Sequence, residues 1–257
     1  MTPSKAKKAG AGSKKATVSI VIPTYNERGN IEKLVPEIFR SSNGLNAKIE
    51  VVVVDDNSPD GTGKVAEGLG RKYNVKVIHR PGKLGLASAV IKGFAESNSS
   101  ILGAMDADMS HPPQILPELI RPILNSEAEV AVGSRYVKGG GVEVWPFHRR
   151  LMSNVATIMA RPLTNVKDPM SGLFFLKRSV IEGVQLHAKG YKIGVEILVK
   201  GNYTKVCEVP YVFRNRLVGK SKISASEYYH YVCNLIRLYA YKLFNRRGMR
   251  QEYWAKA

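Results

Sequence analysis

Two aspartates separated by one residue, Asp106 and Asp108, follow the short apolar run Ile101–Met105. In an extended strand, side chains at i and i+2 point the same way, so the two carboxylates are expected to converge. Such a like-charged pair is costly unless a cation lies between its members. Oxygen ligands alone favour a hard divalent ion, Mg2+ or Mn2+, shared with the phosphates of a substrate. An ion held this way neutralises the charge that develops on a nucleoside diphosphate as it leaves. On its own the D-x-D spacing is common among solvated loops. Here it has company: the acidic pair Asp55-Asp56 follows the apolar run Ile49–Val54, and the polar loop Thr24–Asn30 follows Val18–Ile22 and Pro23.

Other chemistries find less support. The five histidines, His79, His111, His148, His187 and His230, form no convergent pattern and read as structural or surface residues. Cys207 and Cys233, the two cysteines, lack any CxxC spacing and read as small buried hydrophobes rather than zinc ligands or a disulfide. The G-x-G-x-x-G turn of a dinucleotide-binding dehydrogenase is missing after the first strand, where Pro23-Thr24-Tyr25-Asn26-Glu27 stands instead. Gly61-Thr62-Gly63-Lys64 does not have the spacing of a P-loop.

The acidic and polar clusters need elements to hold them. Ile31, Leu34, Val35, Ile38 and Phe39 recur at helical spacing. The Val-rich run Ile49–Val54 is apolar on both faces, as expected of a central parallel strand covered on both sides. Helices are expected over about Gly63–Tyr73, Leu86–Ser97 and Gln114–Leu124, and strands over Val75–His79, Ile101–Met105 and Val130–Gly133. This alternation predicts an α/β fold, a doubly wound, mostly parallel sheet with helices on both faces. Ligands in such sheets sit beyond the carboxyl ends of the strands, where all three polar clusters fall. Farther on, Arg149–Ala160 reads as a helix, Leu173–Lys177 and Lys205–Phe213 as strands, and Ile193–Lys200 as either. From about Ser226 to Phe244 an amphipathic helix is expected, with Tyr228, Val232, Leu235, Ile236, Tyr239 and Leu243 as its apolar stripe. The domain division is a basic, disordered tail over residues 1–16, a catalytic domain over 17–225, and a C-terminal amphipathic helix and tail over 226–257.

Charge is the unusual bulk property, at +18 over 257 residues. Lys5, Lys7, Lys8, Lys14 and Lys15 carry part of it in a leader too poor in apolar residues to build a core. The rest calls for an anionic substrate or surface. Nucleic acid fits poorly, because the acidic clusters gather where it would be repelled. Mean hydropathy is -0.16, and no stretch has the roughly 18 apolar residues of a spanning helix. With no apolar segment in residues 1–17 to act as a signal peptide, the catalytic body is expected in the cytosol.

Three blocks, Val21–Glu27, Val54–Thr62 and Met105–Pro112, together resemble the signature of the GT-A, family 2 glycosyltransferases, and more narrowly of the dolichyl-phosphate mannosyltransferases. Gly133–Tyr136, Asp168–Gly172 and Arg216–Lys222 agree, so the resemblance runs from about Val18 to Lys222. It implies a GT-A fold and inverting transfer of mannose from GDP-mannose to dolichyl or another polyprenyl phosphate, for glycoprotein and GPI glycosylation. Pro23, Tyr25, Glu27 and Asp55 would frame the nucleoside. Asp106 and Asp108 would bind the metal and diphosphate, with Ser110 as a further ligand where some relatives carry Gln. Arg135, Arg149, Arg216 and Lys222 match positions that grip phosphate, and Ser153, four residues after Arg149 on the same helical face, would donate to the acceptor. Asp108, Arg149 and Ser153 are the expected catalytic residues. A phosphate acceptor is already anionic, which accounts for the missing general base. The competing reading keeps the acceptor and replaces the donor with UDP-glucose or UDP-GlcNAc. The acceptor lipid requires peripheral docking at a membrane, expected at the cytosolic face of the endoplasmic reticulum. The face around Leu151, Val155, Ile158 and Met159, the C-terminal helix, and small anchoring subunits are the expected means.

Overall fold

The computed structural model describes residues 15–143, 145–187, 192–215, 225–245 and 252–256. Its centre is an eight-stranded mixed sheet. In chain order the strands and helices that build it are β1 (Ala16–Thr24), α1 (Arg28–Ser41), β2 (Ala47–Asp55), α2 (Thr62–Leu69), β3 (Val75–His79), α3 (Leu86–Glu96), β4 (Ile101–Ala104), α4 (Leu116–Leu124) and β5 (Val130–Ser134). There follow the two-residue β6 (Gly141–Val142), α5 (Phe147–Ala160), β7 (Phe174–Lys177), α6 (Ile193–Lys200), β8 (Lys205–Pro210), β9 (Val212–Phe213), α7 (Ala225–Phe244) and β10 (Glu252–Ala255). The strand order is β10-β8-β5-β7-β4-β1-β2-β3, and β6 pairs with β9 in a separate ribbon. All pairings in the large sheet are parallel except those of β7, which runs antiparallel between β4 and β5.

The period-two alternation of the strands sorts their side chains onto two faces. Val18, Ile20 and Ile22 of β1 join Val51 and Val53 of β2 in the core under α1, α2 and α4. Val21, Val52 and Val54 face the opposite core, which α3 and α6 cover with Val90, Phe94, Ile193 and Ile197. Of the described glycines, Gly103 has the least room for a side chain. A Cβ on Gly103 of β4 would lie 2.2 Å from the Phe175 ring of β7. Gly103→Ala is therefore expected to cost about 1–3 kcal/mol by overpacking, read as a lowered denaturation midpoint.

The expected alternation from β1 to β5 matches the structure to within a few residues at each boundary. The segment Ile193–Lys200 is helical, and Lys205–Phe213 is two strands broken at Tyr211. The strand β10 was not anticipated: Glu252–Ala255 is short and follows a basic stretch, yet it pairs in parallel with β8 and sends Trp254 and Tyr253 into opposite cores.

The stripe of the last helix needs correcting. Tyr231, Leu235 and Leu238 are buried against Ala160, Leu163 and Val195. Val232, Ile236, Tyr239 and Leu243 face outward, and the side chain of Tyr228 lies outside the described residues. The helix carries two apolar faces, and spacing alone does not say which one meets the protein. It is fastened to α5 by the Tyr231 and Tyr239 hydroxyls, which donate to the Ala156 and Met159 carbonyls at 2.7 Å. Cys207 is buried as expected, its thiol pushed up to about 12 by burial, but Cys233 is exposed on the outward side of α7.

Candidate active site

Three turns at the carboxyl edge of the sheet each contain one non-glycine residue in the left-handed region: Asn26 after β1, Asn57 after β2 and Met109 after β4. Asparagine adopts that conformation more readily than most residues, which helps place Tyr25-Asn26-Glu27 and Asp56-Asn57-Ser58 in tight bends. The first two turns are laced together. The amides of Asn26, Glu27 and Arg28 donate to Ser58 Oγ, Thr62 Oγ1 and Asp60 Oδ2 at 3.0, 2.9 and 3.1 Å. Burial works against the Asp60 charge, but hydrogen bonds from Thr62 and Arg28 outweigh it and hold this carboxyl below its usual range.

Adjacent Asp55 and Asp56 have different tasks. Asp55 is buried, accepting from Thr24 Oγ1 at 3.0 Å and from the Ser58 amide at 3.0 Å. Asp56 is in a buried ion pair with Arg80 and accepts from the Leu84 amide at 3.1 Å. Arg80 in turn donates to the Gly85 carbonyl at 3.0 Å. This knot folds the Pro81–Gly85 loop over the cleft and brings Lys83 Nζ to 5.2 Å from the Tyr25 ring centroid.

Asp106 and Asp108 line the same cavity, though they do not reach it by strand alternation. The strand β4 ends at Ala104, and both aspartates stand on the turn beyond it. Asp108 is 4% exposed and accepts from the Ser110 amide at 3.1 Å. The Asp106 side chain is 31% exposed. His111 supports it from behind: its Nδ1 accepts from the Asp106 amide at 3.2 Å, and its Nε2 lies 3.9 Å from Asp106 Oδ2. Burial lowers the His111 pKa against the opposing pull of Asp106 and Asp108. A neutral ring accepting at Nδ1 carries its proton on Nε2, facing the carboxylate.

The residues present fit a hard divalent ion. Ser110 Oγ is enclosed and has no hydrogen-bond partner among the described residues, an orphaned oxygen on the residue whose amide bonds Asp108. Among the described residues no group of three or more His, Cys, Asp or Glu could hold a metal unaided. An ion here would complete its shell from substrate oxygens, the usual arrangement for Mg2+ with phosphates.

The opposite wall is basic. Arg135, just past β5, is almost fully buried, and its Nε and Nη2 donate to the two Asp168 oxygens at 2.7 Å each. The same carboxylate accepts from the Arg135 amide at 2.9 Å. Burial alone would weaken this guanidinium's hold on its proton, but the bonds and charge of Asp168 outweigh it and raise the pKa. Asp168 is itself fixed by Glu208 of β8, whose two oxygens accept from the amides of Lys167 and Asp168 at 2.7 and 2.9 Å. Two of the five guanidinium N–H groups serve Asp168, which leaves one edge for a ligand. Arg149, in the first turn of α5, lies 4.3 Å from the Trp145 ring centroid. One turn later Ser153 Oγ shares a 3.0 Å hydrogen bond with the Tyr136 hydroxyl. Between the walls, Lys192 donates to the Met170 carbonyl at 2.7 Å. Burial, with Arg135 adding, lowers this ammonium to about 8 while Asp106 and Asp168 pull the other way.

All of this encloses one cavity of about 320 Å³. Of the residues expected from sequence, Pro23, Tyr25, Glu27, Asp106, Asp108, Arg135, Arg149 and Ser153 line it together. Asp55 and Ser110 do not; they hold the turns that the lining residues stand on. Arg216 and Lys222 lie outside the described residues. Sequence reasoning placed Asp56 in the crevice beside Asp55 without giving it a role; it missed Lys83, Trp145, Lys192, Tyr211 and Phe213, and it placed His111 away from the chemistry, whereas this ring lines the cavity.

Comparison with known proteins identifies the family. Residues 19–184 match the profile described as glycosyl transferase family 2. A dolichol-phosphate mannosyltransferase of Pyrococcus furiosus is 48% identical over 225 residues, 86% of this chain, which spans 63% of that relative's length. The dolichol-phosphate mannosyltransferase of Saccharomyces cerevisiae is 37% identical over 235 residues, 87% of each chain. Among solved structures, a mannosyltransferase of Pyrobaculum calidifontis in complex with GDP-Man and Mn2+ superposes with a TM-score of 0.61 at 18% identity, over 88% of this chain and 65% of its own, a likeness of fold. With its aspartate turn and its basic wall facing each other across the carboxyl edge of the sheet, the chain belongs to glycosyl transferase family 2, among the relatives of the dolichol-phosphate mannosyltransferases.

Proposed function

We propose that this chain transfers mannose from GDP-mannose to the phosphate of dolichol or a related polyprenol, with inversion at the anomeric carbon. The observation that carries the reading is the opposition, across one cavity, of Asp106 and Asp108 to Arg135, Arg149 and Ser153. One wall suits a metal-bridged diphosphate and the other a phosphate monoester. The names of the relatives support the acceptor, and the GDP-Man and Mn2+ held by the Pyrobaculum enzyme support the donor and a divalent ion.

In this reading Pro23, Tyr25 and Glu27 receive the nucleoside, with Lys83 closing over the Tyr25 ring. Asp106 and Asp108 would hold Mg2+ or Mn2+, which neutralises charge on the departing diphosphate. The free edge of Arg135, together with Arg149 and Ser153, orients the acceptor phosphate toward the anomeric carbon. That phosphate is already anionic, so no side chain needs to remove a proton. Attack from the side opposite GDP converts an α-linked donor into a β-linked mannosyl phosphate.

The test incubates the chain with Mg2+ or Mn2+, dolichyl phosphate and labelled GDP-mannose, and counts label in the organic phase. Metal-dependent transfer to a β-linked product is expected. Labelled UDP-glucose or UDP-GlcNAc transferred in its place would move the donor to a different nucleotide sugar, and an α-linked product would overturn the inverting step.

A lipid acceptor requires contact with a membrane. Among the described residues no helix is long and apolar enough to cross one. The outward faces of α5 and α7 lie side by side and expose Phe147, Leu151, Val155, Ile158, Ile236 and Phe244. We assign peripheral docking to this face, at the cytosolic side of the endoplasmic reticulum in a eukaryotic cell, with anchoring subunits as an added route. Ile158 is 63% and Ile236 64% exposed. Replacing both by Glu is expected to lower vesicle binding more than about tenfold, since each apolar side chain contributes roughly 1.5–3 kcal/mol on full burial. Unchanged flotation with anionic liposomes would refute docking through this face.

A further inference from the structure

Ser153 lines the cavity from the second turn of α5, on the same wall as Arg135. Tyr136 stands behind it and is not itself part of the lining. The two hydroxyls share a hydrogen bond of 3.0 Å across 17 residues of sequence. The Tyr136 ring centroid lies 5.3 Å from the Arg135 guanidinium. One side chain therefore touches two members of the basic wall, Arg135 with its ring and Ser153 with its oxygen. The backbone around Tyr136 has little freedom. Its amide donates to Ser134 Oγ at 3.4 Å, and Val137 beside it is buried. The chain then turns back, with the Gly140 amide donating to the Val137 carbonyl at 2.9 Å. A Cβ on Gly140 would lie 2.5 Å from the Ser134 carbonyl oxygen, so this return is close.

Either oxygen of the pair could donate at this distance, and chemistry decides between them. A phenol O–H is a more acidic donor than an aliphatic hydroxyl, so the tyrosine gives its proton to the bond and the serine accepts. A serine that accepts keeps its own O–H for another bond. Ser153 is the member of the pair that lines the cavity, so that O–H has a ligand site in reach. Reversing the bond would turn the serine proton back into the protein.

We propose that Tyr136 is a positioning residue for the acceptor: its hydroxyl donates to Ser153 Oγ and so aims the Ser153 proton at the acceptor phosphate. This rests on the reading that Ser153 contacts that phosphate. Neither hydroxyl gives up its proton; the bond sets a direction. A serine free to rotate would have to be ordered when the phosphate arrives. One already held by Tyr136 meets the phosphate at a lower cost in entropy. An oriented donor also helps to hold the attacking oxygen in line with the anomeric carbon.

The test varies dolichyl phosphate at saturating GDP-mannose, and the reverse, in Tyr136→Phe, Ser153→Ala and the double variant. Tyr136→Phe removes one oxygen and keeps the ring against Arg135. It is expected to raise the acceptor KM about 2- to 12-fold, the range of one neutral hydrogen bond. The GDP-mannose KM and the melting midpoint should change little. Ser153→Ala should raise the acceptor KM at least as far. The double variant should be no worse than Ser153→Ala alone, because Tyr136 acts through Ser153. A parental acceptor KM in Tyr136→Phe, an equal rise in both KM values, or two effects that multiply in the double variant would overturn the proposal. Ser153→Ala separates it from its premise. If that variant leaves the acceptor KM unchanged, the reading that Ser153 meets the acceptor fails. If it raises the KM while Tyr136→Phe does not, only the positioning role is lost.

Discussion

Asp108→Ala is expected to abolish metal-dependent transfer, with a loss of at least about 100-fold in kcat. Asp108 is nearly enclosed, and its Oδ1 accepts from the Ser110 amide, so its carboxylate is held at a fixed position on the turn. Asp108→Asn separates charge from shape. The amide oxygen can still accept from Ser110, so the turn persists, while the negative charge that would hold a divalent ion is gone. Activity should therefore fall about as far in Asn as in Ala. Without metal, thermal stability should hold or rise in Asp108→Asn, because the repulsion between Asp106 and Asp108 has been relieved. Initial rates of label transfer and melting curves with and without Mg2+ give both quantities. Near-parental activity in Asp108→Asn would remove this carboxylate from the reaction.

The second large effect is expected at Asp168. Its carboxylate takes three bonds from Arg135 and is completely buried. Asp168→Ala strands a buried guanidinium, a change that typically costs about 3–5 kcal/mol. At roughly 2–4 °C per kcal/mol for a protein of this size, the midpoint should drop by about 6–20 °C. Transfer should fall with it, measured below the new midpoint, because the free edge of Arg135 loses its orientation. Asp168→Ala combined with Arg135→Met removes both charges and should recover much of the stability but none of the activity. A single variant that melts within a degree of the parent would show that the pair carries no such strain. Recovery of transfer in the double variant would take Arg135 out of the acceptor site.

Much of the site was legible because its residues come in local blocks. Tyr25 and Glu27, Asp106 and Asp108, and Arg149 with Ser153 each sit within a few positions of one another, next to strands or a helix whose periodicity is plain. The contacts that escaped notice join residues across long separations. Arg135 and Asp168 are 33 residues apart, and Glu208 lies a further 40 beyond Asp168. No local pattern shows that Glu208 grips two amides of the loop carrying Asp168. Lys83 had only a glycine-bounded loop to mark it, and the Asp56–Arg80 pair that folds this loop over Tyr25 spans 24 residues. Trp145 and Phe213 belong to β6, β9 and the entry to α5, elements too short for periodicity to register. His111 gave no signal as a constellation because its partners are the backbone amide and carboxylate of a residue already assigned. The two faces of α7 are a different kind of ambiguity, since both were apolar and only packing against α5 and α6 distinguished them.

The antiparallel strand β7 has a consequence in time as well as in space. The strands β3, β2, β1 and β4 come from the first half of the described chain and join through short crossovers, so they can assemble as soon as they have been made. The outer edge of β4 then waits for Phe174–Lys177, and β5 cannot reach its place in the sheet until that strand has been inserted. At a synthesis rate of about 5–20 residues per second, the roughly seventy residues between Ala104 and Phe174 take some 4–14 seconds to appear. For that interval the nascent sheet carries an open apolar border beside the aspartate turn. Refolding should show the same order as two kinetic phases: an early one for the half that carries Tyr25, Asp55 and Asp106, and a slower one in which β7 closes the border and the basic wall with Arg135 forms against it.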